Sequence, residues 1–326
     1  MKAFDVIIPY LRQSLTDPGK IIHINDHVRV PIKQDAFRPL NRSTGRVIFI
    51  DGGNGDILRA PNVSVQFARL CAIVYEEKKR TMRETKEFFI VVTAMKENLD
   101  LMYEAKLIDA EGKLISDPIK INSLDPSLKS GQHRITPDIV ANHVRKLEEV
   151  RFTRTLVNNL NKGDLIVRDG DLLSSGPFIE NELKNLRIAC QNKEVDIVGL
   201  SKTSRLCTDS GASALSIIHS LAPKGCWYYF IDGQVGFTKL NANSKYVFRF
   251  DIFNRENIEK NLSLLLPLSA DPVFLGYPYG LIDVDKSARV TDFELRQLRL
   301  RFSLKSNGLF ESLESGVDAH DILNTL

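Results

Sequence analysis

The chain has 326 residues, a formal net charge of +3 and a charged fraction of 26%. That is enough for one large core or two fused ones, and too little net charge for the whole chain to grip nucleic acid, so any basic surface must be local. Its cysteines, at positions 71, 190, 207 and 226, show no CxxC spacing and no nearby histidine, which excludes a structural zinc site and points to reduced, mostly buried thiols.

Residues 1–45 carry Pro9, Pro18, Pro31 and Pro39 and read as an irregular, packed N-terminal arm. The opening stretch has Asp5 within its apolar part and no small-residue cleavage site. With no apolar run near the ~20 residues of a membrane span, the expectation is a cytoplasmic protein without signal peptide or membrane contact. A main domain is expected over 46–305, and a helical tail over 306–326.

Val47–Ile50 is a continuous apolar strand that runs into Asp51 and two glycines. Val63–Tyr75 and Phe88–Ala94 read as strands separated by a charged link, EEKKRTMRETKE, and Leu99–Ile108 is a further amphipathic segment. Thr136-Pro137-Asp138 has the form of a helix start, and apolar residues then recur at helical spacing to about Asn159. Leu165–Val167 is a short strand ending at Asp169. A helix near Phe178–Cys190, a strand over Val195–Leu200, a helix over Asp209–Leu221, strands over Cys226–Ile231 and Tyr246–Phe253, and a basic helix over Thr291–Lys305 complete the order. Three early strands on short links suggest a meander, and later strands alternating with helices suggest parallel crossovers. The predicted fold class is α/β, a ribonuclease-H-like mixed sheet with flanking helices and extra elements at both ends.

Both IFIDGG and LIVRDGDL carry an Asp after an apolar strand. In open α/β sheets, active groups gather at the carboxyl ends of strands. Neighbouring strands would bring Asp51 and Asp169 together, where mutual repulsion drives one neutral unless a cation lies between them. A hard divalent ion with oxygen ligands suits that pair, and the glycines are expected to leave room for a metal or a phosphate. Glu148 and Glu149 lie off the apolar face of the preceding helix, so the helix wheel does not choose between them as a third carboxylate. Asp171 is a second-choice ligand. Lys202, at the end of the next strand, could hold a phosphate as a point charge. Residues 286–305 group Arg296, Arg299 and Arg301 with Phe293, Leu298 and Phe302, a pattern suited to a phosphate track.

The run IDGGNG, then LEEVRF, LIVRDGDLLSS, VGLSKTS and VFLGYPYGLIDVD, resembles the NurA nuclease family over about residues 46–290. The order and spacing of these segments are more specific than any one of them. The resemblance implies a manganese-dependent homodimeric nuclease, with magnesium as the rival ion. Such an enzyme cleaves single-stranded DNA, resects duplex ends from the 5′ side, and works with a HerA-type hexameric translocase in DNA end processing and recombinational repair. By the same resemblance Asp51 and Asp169 fall on the family's metal-binding aspartates, and Glu149, with Glu148 as the alternative, on its helix glutamate. Lys202 falls on its strand-end lysine and Tyr277 on the tyrosine of GYP. Where the family carries a histidine this chain has Asp285, which can bind a metal or accept a proton but is no neutral imidazole at pH 7. His320 is a remote substitute. The mechanism implied is two-metal phosphodiester hydrolysis, with Asp51 bridging the ions, Asp169 and the helix glutamate completing their shells, and Lys202 on the scissile phosphate. Two other readings stand beside it. One is a catalytically altered DNA-binding scaffold; the other is an actin-like or sugar-kinase-like ATP-binding protein, suggested by a second IDG at Ile231–Gly233.

Overall fold

A computed structural model of the chain describes residues 2–14, 17–24, 28–129, 131–172 and 176–314. The N-terminal arm opens not on irregular backbone but on a helix, α1 (Lys2–Ser14), which carries Pro9 within it. Phe4, Ile7, Ile8 and Leu11 recur along α1 at helical spacing and remain exposed. Short strands β1 (Ile21–His23), β2 (Arg29–Pro31) and β3 (Arg38–Pro39) follow. Next come β4 (Arg46–Ala60), β5 (Val63–Glu76), β6 (Lys79–Glu97), β7 (Asp100–Ile108), β8 (Ile119–Asn122), α2 (Pro137–Val157), β9 (Leu165–Asp169), α3 (Ile179–Lys193) and β10 (Asp196–Ser201). The last part holds β11 (Cys207–Thr208), α4 (Ala214–Leu221), β12 (Trp227–Phe230), β13 (Val235–Lys239), β14 (Phe248–Ile252), α5 (Ile258–Leu265), α6 (Tyr279–Ala288), α7 (Asp292–Lys305) and α8 (Leu309–Glu314).

One large sheet runs β3-β12-β13-β14-β10-β9-β4-β5-β6-β7-β8. Within it, β4, β5 and β6 form an antiparallel meander, while β9 pairs in parallel with β4, and β10 in parallel with β9. With α2 leading into β9 and α3 joining β9 to β10, this is a ribonuclease-H-like core. Its central strands are covered on both faces, which explains their unbroken apolar runs. Ile48, Ile50 and Ile166 pack with α2 and α3 on one face, and Val47, Phe49 and Val167 with α5 and α6 on the other.

Several expectations are corrected by the structure. The charged segment after Tyr75 is not a link. Glu77, at φ 56°, makes a tight turn, and β6 already begins at Lys79; its exposed first half has no reason to be apolar. The helix predicted from Asp209 starts at Ala214, because the Asp209 carboxylate instead accepts the Lys20 and Ile21 N–H groups and ties β11 beside β1. Strand β13 was hidden by its Gly236, whose missing side chain makes room for Phe250 and the Tyr229 carbonyl. Of the cysteines, only Cys71 and Cys190 are buried, and Cys207 is exposed. The second IDG lies between β12 and β13, strands that pair antiparallel, so no second βββαβα core follows it among the described residues. None of the described helices is long and apolar enough to cross a membrane.

The approach of α6 to β4 depends on Gly280, where any Cβ would enter the Phe49 ring. Gly280→Ala is expected to cost about 1–3 kcal/mol by overpacking, read as a lower urea midpoint at unchanged slope.

Candidate active site

Side chains alternate across a strand. Val47 and Phe49 face α5 and α6, so Asp51 does too, while Gly52 turns towards α2. On β9, Val167 and Asp169 share that α6 face, and Arg168 points to α2. The last pair in the parallel ladder is Ile50 with Arg168, which leaves Asp51 and Asp169 side by side one residue further on. The two aspartates thus converge as their strand positions predict. The strand carrying Asp51 does not end there, however, because β5 stays paired with it from Cys71 down to Val63. What ends at Asp51 is the pairing with β9.

The glycines after Asp51 serve helices, not a metal or a phosphate. A Cβ on Gly52 would stand 2.6 Å from Leu70 and 3.0 Å from Glu149 Oε2, and one on Gly53 would stand 2.5 Å from the Ala288 carbonyl oxygen. They let α2 and α6 close on the strand. Gly170, after the second aspartate, has φ +99° and open space around it, so there the turn itself calls for glycine.

Glu148 and Glu149 are both buried rather than on a solvated helix face. They point apart. Glu148 accepts from Lys86 at 3.2 Å and Arg151 at 2.8 Å. Glu149 faces the aspartates, and each of its oxygens accepts from a guanidinium at 2.6 Å: Oε2 from Arg145, Oε1 from Arg168. Arg145 also donates to the Gly52 carbonyl at 2.8 Å. A cleft of about 200 Å³ is lined by Asp51, Arg145, Glu149, Arg168, Asp169 and Asp171, among others. A larger one, about 480 Å³, opens at the opposite ends of β9 and β10 beside Asp196 and Asn257, away from the carboxylates.

Electrostatics mark this cleft. Burial raises the Asp51 pKa most, and the Glu149 and Asp169 carboxylates raise it further, to about 7 against the pull of the Gly52 N–H and Arg145. Lys202 donates to Asp169 at 2.7 Å and lies 5.1 Å from the centre of the Tyr277 ring. The Tyr277 hydroxyl is buried beside the Asp169 carboxylate. Burial, then Asp169 and Asp51, hold its pKa well above the ordinary phenol value. Asp285 is paired at 2.8 Å with Arg289, just past the end of α6, and acts on the site through its charge on Tyr277.

Not every predicted site residue gathers here. Arg296 and Arg301 are exposed on α7, whereas Arg299 donates twice to the Asp56 carbonyl, at 3.0 and 2.7 Å, and so fastens α7 to β4. His320 lies outside the described residues. Arg145 and Arg168 were missed. A signal for each was present: Arg145 stands four residues before Glu149 on one helix, the spacing of an ion pair, and Arg168 is a charge inside an otherwise apolar strand. Asp251 was also missed. It is fully buried and pairs with Arg249 at 2.8 Å, and burial raises its pKa to about 6.

The donor set can be weighed for a divalent cation. Asp51 and Asp169 are adjacent oxygen donors whose mutual repulsion a cation would relieve. The residues fit such an ion through two carboxylates. Among the described residues, no three His, Cys, Asp or Glu side chains form a metal-binding group.

No protein-family model matches the sequence, and no curated protein sequence matches it. Solved structures do match by shape. The NurA nuclease from Sulfolobus solfataricus aligns at a TM-score of 0.52 over 96% of this chain and 95% of its own, with 12% identity. Human endonuclease V aligns at 0.40 over 81% and 94%, with 12% identity, and the A. aeolicus Argonaute at 0.34 over 76% and 29%, with 11% identity. The first of these carries the assignment: along nearly the whole of both molecules, this chain has the fold of the NurA nuclease.

Proposed function

We propose that the chain is a divalent-cation-dependent deoxyribonuclease that hydrolyses phosphodiester bonds at the Asp51–Asp169 pair. The observation that carries this reading is the register of β4 and β9, which sets two carboxylates side by side in a cleft where burial, with Glu149 and Asp169, raises the Asp51 pKa to about 7. Its fold, shared with a nuclease, supports the same class. Asp51 and Asp169 would hold the ion, manganese or magnesium, which when bound supplies Lewis acidity and an acidified water.

The chain's own residues do the rest. Lys202 is a point charge on a half-exposed stem beside Asp169, able to turn to a phosphate oxygen. Tyr277 keeps its proton at every working pH, so it serves as a hydrogen-bond donor to substrate and never as a base. Glu149 and its two arginines stand behind the aspartates. The exposed Arg296 and Arg301 offer charge to the DNA backbone. Exposed apolar residues, Phe4, Ile7 and Leu11 on α1 and Phe293, Leu300 and Leu304 on α7, support assembly as a homodimer and with a HerA-type hexameric translocase in end resection.

The experiment is cleavage of 5′-labelled single strands and linear duplexes by the purified chain with manganese, with magnesium and with EDTA. Cation-dependent shortening is expected, beginning at 5′ ends of the duplex. Binding of ATP without any loss of DNA would overturn the reading.

A pH dependence follows from Asp51. Its carboxylate must be ionised to hold a cation, so affinity for manganese is expected to rise through pH 7 and level off above it. Calorimetric titrations between about pH 6 and 8.5 check this; a flat profile would contradict the role given to Asp51.

A further inference from the structure

We infer that this site takes one divalent ion per chain rather than two, because Arg145 and Arg168 occupy the carboxylate a second ion would need. The inference rests on the nuclease reading above and concerns how its cofactor is held.

Two observations carry it. The first is the state of Glu149. Both of its oxygens accept charge-assisted bonds at 2.6 Å, and its side chain is 5% exposed. Arg145 is fixed in turn by the Gly52 carbonyl, and the space beside Gly52 is so tight that even a Cβ would reach Glu149 and Arg145. An ion on Glu149 would sit directly against two largely buried guanidinium charges, since each of the two oxygens already accepts from one of them, and that like-charge repulsion is poorly screened. Beyond Glu149 the cleft offers Asp51, Asp169 and Asp171, and among the described residues no three such side chains form a metal-binding group.

The second observation is the balance of charge. With Asp51 ionised, as it must be to hold a cation, Asp51, Glu149 and Asp169 bring three negative charges, and Arg145, Arg168 and Lys202 bring three positive ones, all in mutual contact or lining one cleft. At the rim, Lys146 and Asp171 cancel. The cluster is already neutral. One dication makes it +2, which one phosphodiester partly offsets. Two dications would make it +4 within a cleft of about 200 Å³, where like charges are poorly screened. The arginines therefore stand where a second ion's charge would act, fixed in the fold rather than recruited from solution.

The test is manganese binding to the full-length, metal-free protein without DNA, followed by calorimetry and electron paramagnetic resonance. One tightly bound ion per chain with the signal of an isolated Mn²⁺ is expected. Two ions giving an exchange-coupled signal would overturn the inference and leave the nuclease reading standing; no bound ion at all would overturn the nuclease reading itself. Glu149→Gln adds a second arm. With Glu149 outside the coordination shell, the variant also holds one ion per chain, more weakly because the cluster has lost a negative charge; a fall from two ions in the wild type to one in the variant would make Glu149 a ligand and contradict the arrangement. The wild-type stoichiometry decides without this variant should it fail to fold.

Discussion

Asp51→Asn is expected to lower cation-supported DNA cleavage by about 10²–10³-fold or more, the scale of losing one preorganised electrostatic element of an active site. The same substitution should change stability in the opposite sense. In the folded protein the Asp51 pKa is about 7, against an ordinary aspartate value of 3.8. Below pH 4 both folded and unfolded chains are protonated there and the group contributes no slope. Between about pH 4 and 7 the unfolded chain has lost the proton and the folded one keeps it, so stability falls as pH rises; above 7 the loss is complete. Asn cannot ionise. The metal-free variant should therefore gain on the wild type across that window and be the more stable of the two at pH 8 than at pH 4. Adding manganese should narrow the gap, since an ion at 100 times its Kd stabilises the wild type by about 2.7 kcal/mol and has lost a ligand in the variant. Thermal melts at both pH values, with and without the ion, check the pattern. A variant that loses activity and stability together under every condition would instead place Asp51 in the structural core.

Arg168→Ala is expected to be among the most destabilising single changes in the chain. The side chain is 8% exposed and bonds one oxygen of the buried Glu149. Its removal leaves that oxygen without a partner and tips the cluster negative beside two further carboxylates, a situation that costs about 3–5 kcal/mol for a buried pair. The cost should shrink when Glu149→Gln is made in the same chain, because the orphaned charge is then gone. A double-mutant cycle by urea unfolding measures this coupling. Additive effects would mean that Arg168 and Glu149 do not act as a unit.

Much of this site is legible in the sequence because backbone geometry alone brings it together. Two apolar runs ending in Asp, with a helix start between them, are enough to call neighbouring parallel strands, and the alternation of a strand then aims both carboxylates to one side. The roles of the glycines were not legible in the same way. Gly52, Gly53 and Gly280 look alike in the sequence as permissive backbone, yet each is fixed by a different neighbour, Glu149 and Leu70, the Ala288 carbonyl, and the Phe49 ring. Those neighbours lie up to hundreds of residues away. The choice between Glu148 and Glu149 likewise depended on partners outside the helix, Lys86 on β6 and Arg168 on β9. Segment ends were misread where a side chain elsewhere took over a local signal, as when Asp209 left its helix to bind the β1 backbone. The basic helix shows the limit of composition most plainly: of three arginines grouped together in the sequence, Arg299 is spent on holding α7 to β4, and Arg296 and Arg301 are exposed.

The central claim is that Asp51 and Asp169 act as one cation-dependent hydrolytic unit. Single-turnover cleavage of a labelled single-stranded oligonucleotide in manganese tests it most directly, comparing wild type, Asp51→Asn, Asp169→Asn and the double variant. Residues that act as a unit are grossly non-additive, so each single variant should lose nearly as much as the double, and EDTA should abolish the wild-type activity. Undiminished cleavage by Asp51→Asn, or cleavage that persists in EDTA, would contradict the claim.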